Sequence, residues 1–489
     1  MRWVDLGVIA AYLLGITWFG SRFRSSQKSL KDYFLGGKNA PWWAIALSIV
    51  SAETSTLTVI GTPSIAFLGN FAFLQLVMGY LLARIVISAL FLPAYFRGEM
   101  FTAYELMRRR FGTRIRRWTA GTFLILRALA EGVRVFAISI VIAIVLGTGE
   151  MTSIAVIIAL TLVYTHEGGL TAVIWTDVVQ MFLYVAGAVV SLLAILHEIP
   201  GGWGHVVELA APLGKFQVFD FAIGPAFFTK SYSFWAGIIG GCFLTTASHG
   251  TEQLMVQRLL AARDERESRK ALLVSWVVIF ALFALFLTIG VCLFTLYQDA
   301  QRPTPKVTDT IYPDFVWHEL PVGVAGLVTA AILAAAMSNL SAALNSLSST
   351  TVMDFIRPLA KSVEPEEAWL ARSRWATLAW GAILFAVALV ARNWGGVLQA
   401  GLSIASILYG ALLGVFLLGL LTKRIGETAA ICGMMASLGL MLYIRFFTSI
   451  AFTWYVVIGT GATCAVAFVI SLFLREPISI QEEKPDAID

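Results

Sequence analysis

In WWAIALSIVSAETSTLTVIGTP (42–63) a carboxylate and a run of hydroxyls, Ser51, Glu53, Thr54, Ser55, Thr56 and Thr58, occupy the middle of an apolar segment of membrane length. At bilayer depth such groups are costly unless they face protein, water or an ion, so they mark a functional site by default. The stretch from Trp235 to Leu260 does the same with Thr245, Thr246, Ser248, His249, Thr251, Glu252 and Gln253. Two interrupted helices, one in each half of a long membrane chain, point to a midplane binding site in a secondary transporter.

Further chemistry lies in other apolar stretches. RALAEGVRVF sets Arg127 and Glu131 four apart, where they can pair, and leaves Arg134 as surplus positive charge. Two readings stay open: an internal ion-pair staple, or an arginine fork for a solute carboxylate. Asp177 follows HEGGLTAVIW at the start of an expected span, where an acid would cap a helix N-terminus or line an ion path. His249 and Glu252, about one helical turn apart, fit a satisfied polar pair at a helix break or a proton relay. GLVTAAILAAAMSNLSAALNSLSSTTVMDF (326–355) puts Ala335, Ser338, Ala342, Asn345 and Ser349 on one face. That face suits close helix packing with hydroxyls bonded to their own backbone. It equally suits a hard-cation site, where hydroxyl and amide oxygens join carbonyls of an unwound neighbour to supply the roughly five or six oxygens sodium takes.

The elements that must carry these groups are transmembrane helices. Of 489 residues 58% are hydrophobic and 13% charged, with mean hydropathy +0.80, the composition of a polytopic membrane protein. About thirteen runs reach the roughly 20 residues a span needs. With the N-terminus outside and the C-terminus inside, cytoplasmic segments collect 25 of the 35 Lys and Arg, as membrane topology requires. The net charge of +5 then reflects topology and anionic lipid, and no nucleic-acid partner is expected. Cys242, Cys292, Cys432 and Cys464 have unrelated spacings, so neither a disulfide framework nor a metal cluster follows. The first apolar stretch contains Asp5, lacks a basic leader and reads as a retained helix. A single transporter domain is expected over 1–475: a peripheral first helix and loop (1–41), repeats at 42–196 and 232–421, and peripheral helices at 427–474. The acidic tail 476–489 is expected to be disordered.

Catalytic signatures are missing. No Walker A loop, HExxH, CxxC pair or G-x-S-x-G elbow occurs, so neither an enzyme nor an ATP-driven pump is expected and the energy source is an ion gradient. Four stretches, DYFLGGKNAPWWAIALSIVSAETS (32–55), GGLTAVIWTDVVQ (168–180), QLMVQRLLAA (253–262) and AAAMSNLSAALNSLSSTTVMDF (334–355), with FLLGLLTKR (416–424) as a weaker fifth, resemble the sodium/solute symporter family, which includes bacterial sodium-coupled galactose, proline and sialic acid carriers. The resemblance implies an all-α, leucine-transporter-like five-plus-five inverted repeat with extra peripheral helices, in a bacterial cytoplasmic (inner) membrane. It also implies a main sodium site from the carbonyls of Ser51, Thr54 and Ala335 and the side chains of Ser338 and Asn339, where the family usually has a second hydroxyl in place of Asn339. A further sodium site or ion pathway would map to Asp177, Ser338 and Ser341, with Ala342 where its remaining hydroxyl would be; one sodium per cycle is the default.

The family's sugar-holding positions fall near Val77, Tyr80 and Ile279, which disfavours a sugar. Glu53, Ser55, Thr58, Arg127, Arg134, Glu252 and Gln253 are the candidate solute contacts, and a carboxylate-bearing solute would use both signs of charge. The expected function is sodium-coupled import of a small polar organic solute by alternating access, with the chain a monomer or weak oligomer. The alternatives are a proton-coupled carrier of the same fold, through Glu53, Glu252 or His249, and a solute sensor that transports nothing.

Overall fold

Apolar runs of membrane length fold as helices because only the segment itself can satisfy its backbone N–H and C=O groups in lipid. The computed structural model describes residues 2–23, 29–98, 100–146, 148–305, 308–360, 365–391 and 397–474, without the side chains of 30, 140, 143, 144, 146, 150, 163–169, 309, 335 and 397–403. The tail expected to be disordered lies outside these residues, which contain helices and no strand. In chain order the first half contains α1 (Trp3–Ser21), α2 (Leu30–Leu35), α3 (Trp42–Glu53), α4 (Thr56–Leu68), α5 (Phe73–Val86), α6 (Leu92–Tyr95), α7 (Ala103–Arg110), α8 (Thr113–Leu146) and α9 (Glu150–Glu198). The second contains α10 (Gly202–Ala210), α11 (Gly241–Gly250), α12 (Gln253–Leu260), α13 (Glu265–Asp299), α14 (Ile311–His318), α15 (Val324–Thr350), α16 (Glu366–Ala391), α17 (Val397–Leu421), α18 (Glu427–Phe447) and α19 (Tyr455–Phe473).

Both interruptions read from the sequence are breaks in the backbone. α3 ends at Glu53, Thr54 and Ser55 are extended, and α4 leaves at 64° to α3. Ser55 and Thr58 start α4 with a reciprocal cap, each side chain bonding the other's backbone N–H. In the second segment Thr251 and Glu252 separate α11 from α12. Among the described residues nine helices are long and apolar enough to cross a membrane, ten when α3 and α4 are taken as one broken span. The thirteen expected from the sequence exceed this by segments in α8, across the break at Thr251 and Glu252, and in the shorter Met151–Leu162.

α9 is helical from Glu150 to Glu198, which as a straight rod would be about 73 Å long. It is folded back on itself. Ile157 lines a small cavity with Ala336 and Leu340 of α15, while Gly187 packs against Ala331 of the same helix. A straight helix would hold residues 157 and 187 about 45 Å apart, against about 13 Å between 331 and 340. The reversal falls between Ile157 and Gly187.

α15 is the central helix, with 94% of its most apolar window buried, against 22% for α1. Its alanines and Gly187 allow the close approach, since a Cβ on Gly187 would come 2.7 Å from that of Ala331. α1 adds a polar fastening: the buried Asp5 carboxylate accepts from Gly323 N and Gly326 N at 2.7 Å each, capping α15.

Candidate functional site

The last turn of α3 has carbonyls with no helical partner, because the chain is extended after Glu53. Those carbonyls lie where α3 packs against α9 and α15. Ser51 Oγ is 2.6 Å from Ser338 Oγ, which donates to Asp177 Oδ1 at 2.7 Å. Thr54 Oγ1 and the Tyr184 hydroxyl, which lies beside Thr54 and Ser51, are buried and make no hydrogen bond of ordinary geometry. Close-set hydroxyls, a carboxylate oxygen, free carbonyls and an orphaned buried hydroxyl form a donor set that fits a hard monovalent cation.

Three ion-site residues stand differently from expectation. Asp177 caps no helix: it sits within α9, fully buried, its Oδ2 accepting from Ser48 Oγ and from Arg258 Nη2 at 2.8 Å. Arg258 is buried because α12 packs beneath the break and brings it to Asp177. Ser341 Oγ donates to the Ser338 carbonyl in its own helix and makes no bond to Asp177. Asn339 bridges instead: its Nδ2 donates to the Ala52 carbonyl at 2.8 Å and its Oδ1 accepts from Arg127 Nη2 at 2.7 Å. A carbonyl on one side and a guanidinium on the other fix which way the amide points. Ala335 lies within α15, its side chain outside the described residues.

On the other side of the break lies a cavity of about 140 Å³, lined by Glu53, Ser55, Thr58, Tyr80 and Arg134 among mainly apolar side chains such as Phe73 and Phe283. Glu53 is no free acid, because Arg84 Nη2 bonds it at 2.6 Å and His249 Nε2 lies 3.4 Å away. Arg134 Nη1 donates to Glu131 Oε2 at 3.1 Å, and its side chain is 26% exposed. The N-terminus of α4 opens on the same cavity, bringing the positive end of a helix dipole.

Arg127, Glu252 and Gln253 do not line this cavity. Arg127 is buried, bonded to Glu131 Oε2 at 2.8 Å, Glu252 Oε1 at 3.1 Å and Asn339. Glu252 accepts a short hydrogen bond from Tyr409 on its other oxygen. His249 faces Glu53, so the expected His249 and Glu252 pair does not form; the break turns the two side chains apart. Gln253 ties the break to its surroundings, donating to Phe101 O at 2.9 Å and accepting from Ala103 N at 2.8 Å. Sequence reasoning left Arg84, Arg258 and Tyr409 without roles. The available signal was the number of acids at bilayer depth, each of which needs a cation or donor.

Two helices broken at their centres, an oxygen-rich pocket at one break and a solute-sized cavity beside it define a secondary transporter working by alternating access. Residues 33–437 match the model of the Sodium:solute symporter family, and the chain belongs to it. It is 29% identical over 425 residues to Sodium-coupled monocarboxylate transporter 1 of Xenopus laevis, covering 86% of this chain and 67% of that protein. It is 28% identical over 471 residues to the Sodium/sialic acid symporter SiaT of Proteus mirabilis, covering 94% and 92%. The structure of a Na+-coupled sialic acid symporter in its substrate-bound outward-open state superposes with a TM-score of 0.87 at 26% identity, covering 96% of this chain and 98% of that one. Mhp1, a nucleobase-cation-symport-1 family transporter, superposes at 0.61 and 14% identity over 92% of this chain and 96% of its own, which shows the shared leucine-transporter-like fold. The protein is thus a multi-pass, sodium-coupled membrane symporter and not an enzyme.

Proposed function

We propose that this chain imports a small carboxylate with one sodium ion across a bacterial cytoplasmic membrane, acting as a monomer or weak oligomer, with the repeats at 42–196 and 232–421 moving against each other. The observation that carries this reading is the joint opening of Arg134 and the α4 N-terminus on one otherwise apolar cavity whose only acid among the described residues, Glu53, is paired with Arg84. Two positive elements and no unpaired acid favour an anion. Relatives named for monocarboxylates and for sialic acid both fit a carboxylate. Sodium is assigned to Ser51, Thr54, Ala335 and Ser338, with Asn339 and Asp177 at its margin.

Thermal unfolding of the purified protein with acetate, propionate, lactate, pyruvate, sialic acid, proline and galactose, each in sodium and in potassium, tests the reading. A short carboxylate that stabilises only in sodium supports it, and uptake of that carboxylate into sealed vesicles separates a carrier from a sensor. Stabilisation by galactose alone, or none that depends on sodium, overturns it. The contact of His249 with Glu53 favours proton coupling as the second reading; it predicts carboxylate stabilisation in potassium that grows as pH falls.

A further inference from the structure

The sodium-site position Asn339 and the cavity-facing Arg134 are joined through two side chains. Asn339 Oδ1 accepts from Arg127 Nη2 at 2.7 Å, the same nitrogen donates to Glu131 Oε2 at 2.8 Å, and that oxygen accepts from Arg134 Nη1 at 3.1 Å. Arg127 also donates to Glu252 at the second break, while Asn339 holds Ala52 just before the first. One guanidinium therefore connects both helix breaks, the ion pocket and the solute cavity. Its Nε is buried without a partner, so Arg127 has no surplus acceptor to fall back on.

We propose that Arg127 is a positioning residue that passes the state of the sodium pocket to Arg134. Nη2 has two hydrogens, one on Asn339 and one on Glu131. A sodium ion in the pocket draws the Asn339 amide round, so that Nδ2 leaves the Ala52 carbonyl and Oδ1 turns from Arg127 to the ion, leaving the guanidinium without that acceptor. The guanidinium then swings toward Glu131, bringing its unpartnered Nε–H alongside the Nη2 hydrogen already bonded there, and the pair becomes bidentate. Glu131 is then committed to Arg127, its single bond to Arg134 weakens, and Arg134 is released to meet a carboxylate in the cavity. Loss of sodium reverses each step: Arg127 returns to Asn339, and Glu131 draws Arg134 back. A hydroxyl in place of Asn339 is too short to reach the guanidinium, so the link depends on the amide in this chain.

This inference rests on the sodium and carboxylate reading above. The test measures the Kd of propionate or lactate, whichever stabilises the parent protein, in sodium and in potassium. The ratio of the two is the coupling factor, expected at about tenfold or more in the parent. Asn339→Ser should lower it to about twofold, whatever it does to either affinity alone. Glu131→Gln should do the same, and the double variant should lose no more than either single one, as members of one chain do. Arg127→Lys, which keeps the charge but cannot bridge two acceptors in a plane, gives the same loss in a fully folded protein. A parent coupling factor that survives in Asn339→Ser or in Arg127→Lys overturns the proposal while leaving the function intact. A parent protein with no sodium effect on carboxylate binding overturns both.

Discussion

Replacing Arg134 by Gln separates carboxylate recognition from everything else the cavity does. In the structure Arg134 contributes one bond to Glu131 and is partly exposed, and Glu131 keeps Arg127 when Arg134 is gone, so no buried acid is left without a cation partner. The solute loses a charge-assisted hydrogen bond, worth about 1.5–3 kcal/mol, which weakens its Kd about 10- to 150-fold. Gln keeps a polar end but is shorter than Arg, and a neutral analogue, which loses no charged partner, should weaken far less than the carboxylate. Isothermal titration in saturating sodium with lactate and lactamide, or propionate and propionamide, makes the comparison. The parent should prefer the carboxylate, and Arg134→Gln should bind acid and amide alike. A carboxylate Kd within about twofold of the parent, against the roughly tenfold minimum that a lost charged hydrogen bond implies, would remove Arg134 from the site. Equal weakening of acid and amide would show that the substitution altered cavity shape and not its charge.

Ser338→Ala removes the hydroxyl between Ser51 and Asp177, so the sodium concentration for half-maximal stabilisation should rise about tenfold or more; an unchanged sodium dependence in thermal unfolding would take Ser338 out of the ion pocket. Arg84→Met leaves Glu53 buried without its cation and should destabilise by about 3–5 kcal/mol, most of it recovered in the double variant Arg84→Met with Glu53→Gln; parent-like stability of the single variant would show that the pair is dispensable. Outside the membrane, the hydrogen bond to Asp299 raises the pKa of His205 above its usual value. Its contribution is therefore full below about pH 6.5, the unfolded value, and is lost as pH rises through the raised folded value. Parent and His205→Gln should differ in thermal stability at pH 5.5 and converge by pH 9, and a difference that grows with pH would contradict the assignment. Uptake of a singly charged carboxylate with one sodium should carry no current across voltage-clamped vesicles, whereas a current would reveal a second ion.

Both helix breaks were legible in the sequence because hydroxyls and acids are too costly within an apolar run unless they face protein, water or an ion. Arg127 with Glu131 was legible because a helix fixes residues four apart. The partners that decide what each acid does were not. Glu53 meets Arg84 from α5, and Asp177 meets Arg258 from α12 across 81 positions, pairings set by helix packing and not by local period. Ser55 and Thr58 read as solute contacts, and both do line the cavity, but their three-residue spacing was equally the sign of a capping pair. Gln253 read as a site residue from its place at the break, yet the chain direction after Glu252 turns it toward Phe101 and Ala103.

Charge ties these pairings to transport. Four guanidinium groups, of Arg84, Arg127, Arg134 and Arg258, face four carboxylates, of Glu53, Glu131, Glu252 and Asp177, so the buried site is neutral as built. Sodium alone would leave it at plus one and a carboxylate alone at minus one, each a costly burial, whereas together they restore neutrality. Each ligand thereby favours the other, which is the part of the coupling expected to survive in Asn339→Ser, and linkage makes it reciprocal. The same balance limits the driving force. A membrane potential supplies about 2.3 kcal/mol per net charge per 100 mV, but sodium with a carboxylate has none. A tenfold sodium gradient, about 1.4 kcal/mol, then supports only about tenfold accumulation. Stronger accumulation needs a second sodium; the ion pathway implied by the family resemblance would give it Asp177, which Arg258 occupies in this arrangement. On that reading, a cycle in which Arg258 stays on Asp177 carries one sodium and sustains only the shallower solute gradient.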